Sequence, residues 1–248
     1  MKKLILAVLL IITLLASSCA ALTGTQSTLK SVILNGTEDA YVVTDASATE
    51  DPEGLREQNF GSQEFVKVWY AWKIIATEQA VSVGLFKFDL APLKGKQIKS
   101  ASLQLMCSGA NLNAPARLVD VTLVDGTWSE ADVTFTSRPA WGNNVLATTV
   151  VYGPGVWYNW DVSAGVASKV KDSAVSFVTG LRTMEEGKQE QVLFVSHQVS
   201  GLGPRLLVTY VEPPFALPLW VWIVIIVAVA VIVFFIALAV SKRRKTVV

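Results

Sequence analysis

One segment restricts this chain more than any other. From Leu219 to Val240 there are 22 consecutive residues without a charge, followed at once by Ser241-Lys242-Arg243-Arg244-Lys245. At about 1.5 Å per helical residue the run reaches about 33 Å, enough for a hydrocarbon core of about 30 Å. Basic residues that flank a span stay on the cytoplasmic side, so the sequence predicts a single C-terminal transmembrane helix over 219–240 and a basic cytoplasmic tail over 241–248. Trp220 and Trp222 suit the outer interface, where aromatic rings anchor a span. The hydrophobic content of 52% fits such a chain better than an ordinary soluble one.

The other end carries its own signal. Met1-Lys2-Lys3 precedes an apolar stretch from Leu4 to Leu15 and then small residues from Ala16 to Ala21. This order of basic, apolar and small residues is that of a secretory signal peptide, assigned to 1–21. Leu15-Ala16-Ser17-Ser18-Cys19 also resembles a bacterial lipobox, which makes Cys19 a lipidation candidate, although Ala16 stands where that motif prefers Leu. The expected localisation is therefore a cell membrane, single-pass, with the N-terminal domain outside. Residues 22–33 read as a flexible polar leader, 34–211 as one exterior domain, and 212–218 as a Pro-rich spacer.

Within the exterior domain, alternation of apolar and polar residues recurs in short runs. These are Ala40–Val43, Phe65–Tyr70, Val83–Leu90, Ala101–Cys107, Arg117–Val124, Val145–Tyr152, Val156–Val162, Ser173–Thr179, Val192–Ser196 and Arg205–Val211. Turn-forming clusters such as Ala91-Pro92-Leu93-Lys94-Gly95, Gly142-Asn143-Asn144 and Gly153-Pro154-Gly155 separate them. Only Ser163–Lys171 reads as helical. The fold class expected is all-β, an antiparallel jelly-roll-like β-sandwich.

Several segments, in order, carry a family likeness: Asp39-Ala40-Tyr41-Val42, Asn59-Phe60-Gly61, Val66-Lys67-Val68, Phe86-Lys87-Phe88-Asp89-Leu90 and Ile98 to Leu105. Trp128-Ser129-Glu130-Ala131-Asp132-Val133-Thr134-Phe135, Arg138-Pro139, Trp160-Asp161-Val162-Ser163, Phe194-Val195-Ser196 and Pro204 to Tyr210 complete it. Together they resemble the DNRLRE-type domain, also classed as an alginate-binding carbohydrate-binding module, over roughly 34–211. The resemblance implies a jelly-roll sandwich, an extracellular location and, in some members, binding of acidic polysaccharide. The chain departs from the pattern at Trp69 to Ile75, where aromatics replace a Gly-, Asn- and Arg-rich turn, so no family residue in that turn carries over.

Single residues sort by strand period. Val66 and Val68 point one way, so Lys67 and Trp69 point the other; Phe86 and Phe88 place Lys87 outward by the same rule. Lys67, Trp69 and Lys87 are the candidate glycan-binding residues, a basic patch with an aromatic floor suited to uronate or sulfated sugar. The alternative for these positions is a solvated strand face guarded by lysines. Trp128, Trp160, Val162 and Cys107 read as core positions, and Trp157 as outward-facing. Asn35-Gly36-Thr37 makes Asn35 a glycosylation candidate.

The charge pattern excludes other classes. Net charge is +1 with basic residues dispersed, so no nucleic-acid partner is indicated. The single histidine, His197, rules out sites that need several, and reads as a surface or strand-end residue. The acidic positions Asp45, Glu50, Asp51 and Asp132 could converge on a structural calcium ion or, less in keeping with the rest, as paired hydrolytic carboxylates. No other cofactor and no catalytic residue is expected. The function expected is a non-catalytic, membrane-anchored surface module binding polysaccharide or envelope glycan; the alternative is a structural or adhesive envelope protein that binds a protein partner.

Overall fold

A computed structural model describes residues 28–44, 54–73, 78–111, 116–182, 189–212 and 219–245. Cys19, Asp45, Glu50 and Asp51 lie outside them. Two compact units separate, one of which runs from Thr28 to Glu212.

Among its described residues this unit holds ten strands: β1 (Leu29–Thr44), β2 (Phe65–Lys73), β3 (Glu78–Asp89), β4 (Gln97–Asn111), β5 (Arg117–Asp125), β6 (Ala140–Val151), β7 (Trp157–Asp161), β8 (Ala174–Leu181), β9 (Gln189–Val195) and β10 (Arg205–Val211). A 3-10 turn at Ala91–Leu93 and the short helix α1 (Ser163–Lys169) complete it. Every pairing is antiparallel.

The strands β1, β10, β4, β9, β2 and β3 follow one another in hydrogen-bonded order, and β3 pairs back with β1 to close a six-strand barrel. β8, β5 and β6 extend from β3, and β7 lies against β4. Closure depends on two long strands that change partners along their length. β1 pairs with β10 through Leu29–Asn35 and with β3 through Gly36–Thr44, with a bulge between Gly36 and Glu38. β4 pairs with β7 and β10 through its first part and passes to β9 after a bulge between Cys107 and Gly109. A bulge bends a strand and increases its twist, which lets one chain turn the corner between two layers. The all-β antiparallel expectation is thus met, whereas the observed detail is a closed barrel with appended strands in place of a plain two-sheet jelly roll.

Two faces are buried. The main core holds Phe86, Phe88, Leu103, Leu105, Trp160, Phe177 and Phe194, all essentially inaccessible. Trp160 meets Phe194 edge-to-face at 5.8 Å between centroids, and its indole N–H donates to the Val119 carbonyl at 2.8 Å. Such geometry suits the ring quadrupole and leaves no buried donor unpaired. On the opposite face of β1, β3 and β8 a smaller cluster forms from Ala40, Val42, Leu85, Val178, Val124, Trp128 and Val133. The chain between β5 and β6 supplies Trp128 and Val133 to it, so this stretch of sheet is covered on both sides. The core assignments of Trp128, Trp160, Val162 and Cys107 hold.

The start of β1 corrects the expected leader. Residues 29–33 are strand because β10 offers them a full partner: Lys30 pairs with Glu212 at 2.6 Å, and the Ser31 and Thr209 hydroxyls meet at 3.0 Å on the exposed face. Cross-strand pairs of this kind override the polar composition that read as loop.

The other described element is α2 (Leu219–Lys245), a continuous helix of 27 residues. Its side chains are described from Trp220 to Ile236, and large apolar ones such as Trp220, Ile226, Phe234 and Phe235 are exposed. Among the described residues no helix is long and apolar enough to cross a membrane, so the expected transmembrane helix is not established there. The uncharged run in the sequence continues past that described stretch to Val240.

Candidate functional site

Lys67 and Trp69 come together as the strand period requires. Both sit on β2 opposite Val66 and Val68, which are buried in the core. The Lys67 ammonium lies over the Trp69 ring, 4.6 Å from its centroid. The register sets Lys67 beside Leu193 of β9, and Trp69 between Gln191 of β9 and Ser82 of β3. Trp69 also packs partly against the main core, and its indole nitrogen is buried without a hydrogen-bond partner. Burial lowers the Lys67 pKa from its ordinary value. Among the described residues no carboxylate pairs with this ammonium. It is a half-buried cation to which no described residue supplies a counter-charge.

Lys87 is not part of that face. β2 meets β3 through Glu78–Ser82, whereas Lys87 lies further along β3, between Glu38 of β1 and Ser176 of β8. It does point away from Phe86 and Phe88, but the face it points to is covered by the chain after β5. Its ammonium reaches Glu38 at 2.7 Å, donates to the Trp128 carbonyl, and sits 4.8 Å from the centre of the Trp128 ring. Trp128 in turn donates to the Ser176 hydroxyl at 3.0 Å. The expected three-residue patch is therefore divided into a Lys67–Trp69 pair and a largely buried, charge-neutralised Lys87. Strand period alone predicts which way a side chain points, not whether water or another segment waits there.

The structure also assembles a cluster that sequence reasoning missed. Asp39 of β1, Glu130 of the segment after β5 and His197 after β9 converge. The His197 amide donates to Asp39 Oδ2 at 2.6 Å; its Nδ1 lies 3.3 Å from the same oxygen and its Nε2 lies 3.5 Å from Glu130 Oε2. Gln198 donates to the other Glu130 oxygen at 3.1 Å, and Glu38 accepts the Glu130 amide at 2.8 Å. Asn59 fixes the turn by donating to the Glu130 and Val133 carbonyls, both at 2.8 Å. Burial raises the Asp39 carboxyl pKa against the pull of the His197 amide and Ser196, and burial likewise raises Glu130 against the nearby His197. His197 is thus a clasp between three segments and not an ordinary surface residue. One signal pointed here: Asp39 and Glu130 lie in the segments that carry the family likeness, and His197 directly follows another.

Asn35 is exposed on β1, opposite Arg205, so the glycosylation candidate is accessible. Asp132 lies in the turn after Ser129, where its amide donates to the Ser129 carbonyl at 3.2 Å. Trp157, expected outward, is half-buried beneath the Arg205 guanidinium at 4.4 Å.

A family model for carbohydrate-binding module family 96 matches residues 30–210, nearly the whole barrel unit. The chain belongs to carbohydrate-binding module family 96. What the match establishes is a carbohydrate-binding module; the DNRLRE type is a finer assignment than it makes. A protein of Bacillus sp named gellan lyase is 29% identical over 137 residues, which are 52% of this chain and 5% of that protein. The chain therefore spans only a small part of that relative's length.

Proposed function

We propose that the chain is a non-catalytic, membrane-anchored surface module that binds acidic polysaccharide through the Lys67–Trp69 face of β2. The observation that carries the reading is the half-buried Lys67 ammonium over the Trp69 ring, which no carboxylate among the described residues pairs. A partly desolvated cation without a counter-ion is costly, and a uronate carboxylate would supply the missing charge while the sugar face rests on the indole. Membership of a carbohydrate-binding family supports the ligand class. The name of the Bacillus relative makes gellan, a uronate-bearing polymer, the first probe.

Anchoring rests on the sequence: the uncharged run from Leu219 to Val240 and the four basic residues after Ser241 fit a span with a cytoplasmic tail. The exposed apolar side chains of α2 need a cover that lipid would provide.

Affinity electrophoresis through gels containing gellan or alginate tests the ligand reading. The full chain in mild detergent is expected to be retarded at low salt and less so at moderate salt, because exposed charges are screened. Lys67→Gln should abolish most of the retardation. Retardation unaltered in Lys67→Gln would move the site elsewhere, and no retardation in any anionic gel would favour an adhesive role toward a protein partner.

A further inference from the structure

The Asp39–Glu130–His197 cluster offers chemistry that sugar recognition does not use. We propose that these three residues form a binding site for one divalent transition-metal ion of the zinc type, which ties β1 to the chain after β5 and the chain after β9.

The donor set comes first. Each residue offers one ligand atom, and the three atoms lie within 4.8 Å of one another. Zinc takes nitrogen and carboxylate oxygen at about 2.0–2.2 Å, so two ligands on a tetrahedral ion stand about 3.4 Å apart. Only one imidazole nitrogen can face the ion: Nδ1 stands 3.3 Å from Asp39 Oδ2, already at that spacing, whereas the 3.5 Å approach to Glu130 is made by Nε2. A turn of the imidazole and of the Glu130 side chain brings the widest pair to the same distance; both retain partial exposure, 25% and 19%, which leaves them room to move. An imidazole with two carboxylates suits zinc and its transition-metal neighbours, whereas calcium takes oxygen ligands throughout.

Further observations bear on a ligand. The His197 Nδ1 atom is buried and faces Asp39 Oδ2 at 3.3 Å without hydrogen-bond geometry, a contact that a metal ion between the two would satisfy. The carboxylates are held in advance, Glu130 by the Gln198 side-chain amide and Asp39 by the His197 backbone amide, as ligating groups usually are, while Glu38 fixes the Glu130 backbone by accepting its N–H. Two glycines close the site from outside. A Cβ on Gly61 would stand 2.1 Å from the Glu130 carbonyl oxygen and 2.6 Å from its Cγ, and one on Gly203 would stand 2.8 Å from His197 Cα. Backbone is thus pressed against two of the three ligands, which limits their wandering. A cavity of about 160 Å³, lined by His197, Asn35, Gly36, Pro204 and Arg205 among others, opens beside the imidazole.

The site is tested on the full chain purified in detergent and stripped with a chelator. Titration with zinc chloride in a calorimeter should show one saturable site with proton release, and zinc should raise the thermal midpoint. Cobalt(II) should give the visible absorption of a four-coordinate ion. His197→Gln and Glu130→Gln should each weaken zinc binding by roughly tenfold or more, while calcium chloride should leave the midpoint unchanged. Absence of saturable zinc binding to the folded wild-type chain overturns the proposal, as does equal zinc affinity in both variants or stabilisation by calcium alone. Should His197→Gln fail to fold, the cobalt spectrum of the wild type and the Glu130→Gln titration still decide. Gellan retardation reads the Lys67 face separately, so either site can fail without the other.

Discussion

At the scale of single residues, burial decides what each titratable group can do. Cys107 is fully buried in β4, and burial pushes its thiol up to about 11. A thiolate is the reactive form, so Cys107 should resist a thiol reagent at pH 8 in the native chain and react at once in denaturant; rapid native labelling would contradict its placement. Lys67 is shifted the other way, below 10.5. Below its folded pKa the ammonium is charged in both states and burial costs stability in full; as pH rises toward 10.5 the folded chain sheds the proton first and that cost disappears. Binding should follow the opposite course. Gellan retardation should fall off at a lower pH than an exposed lysine would allow, and Lys67→Arg, which keeps its charge, should remove that fall; a profile flat to pH 10.5 would exclude Lys67 as the contact. The orientation of Lys67 and Trp69 was legible from the period of two. The clasp was not, because Asp39, Glu130 and His197 are far apart in sequence and each has an ordinary explanation when read alone.

At the scale of elements, the strands were readable because each alternates over a buried face: each of the ten expected runs overlaps a strand, five lie wholly inside one, and the other five overrun it by one residue at one or both ends. What alternation did not reveal was double burial. Along Ala40–Val43 every residue is buried, since Tyr41 and Val43 enter the main core while Ala40 and Val42 enter the smaller one. The segment that makes the second cover contains no strand of its own between Asp125 and Ala140, so no periodicity announced it. Tightness of packing between strands is testable at Gly84 of β3. A Cβ there would lie 2.6 Å from Val66 Cγ1 and 2.8 Å from Thr179 Oγ1, both on fully buried side chains. Gly84→Ala should cost about 1–3 kcal/mol by overpacking, read as a lowered denaturant midpoint. Adding Val66→Ala should return less than it would cost alone; strict additivity would mean the strands separate freely at that point.

At the scale of the whole molecule, the two ends of the sequence said most about placement and the middle most about fold. Hydropathy and flanking charge predict an anchor without any tertiary knowledge, whereas barrel closure needed the pairing of β1 with β3, a contact that no local pattern encodes. If the anchor is as proposed, the full chain should sediment with membranes and resist extraction by carbonate, and a chain ending at Glu212 should be released; a full chain washed off by carbonate would remove the span. The strand from which the chain leaves the barrel has a mechanical consequence. β10 lies between β1 and β4, bonded residue by residue to both from Arg205 to Val211. A pull transmitted along the chain beyond Val211 therefore loads two hydrogen-bonded ladders in shear at once, where a strand on the rim would peel away one bond at a time. If the anchor and the glycan face are as proposed, a domain tethered through a strand paired on both edges holds under tension, and flow dragging on a bound polymer would strain the tether before it opened the barrel.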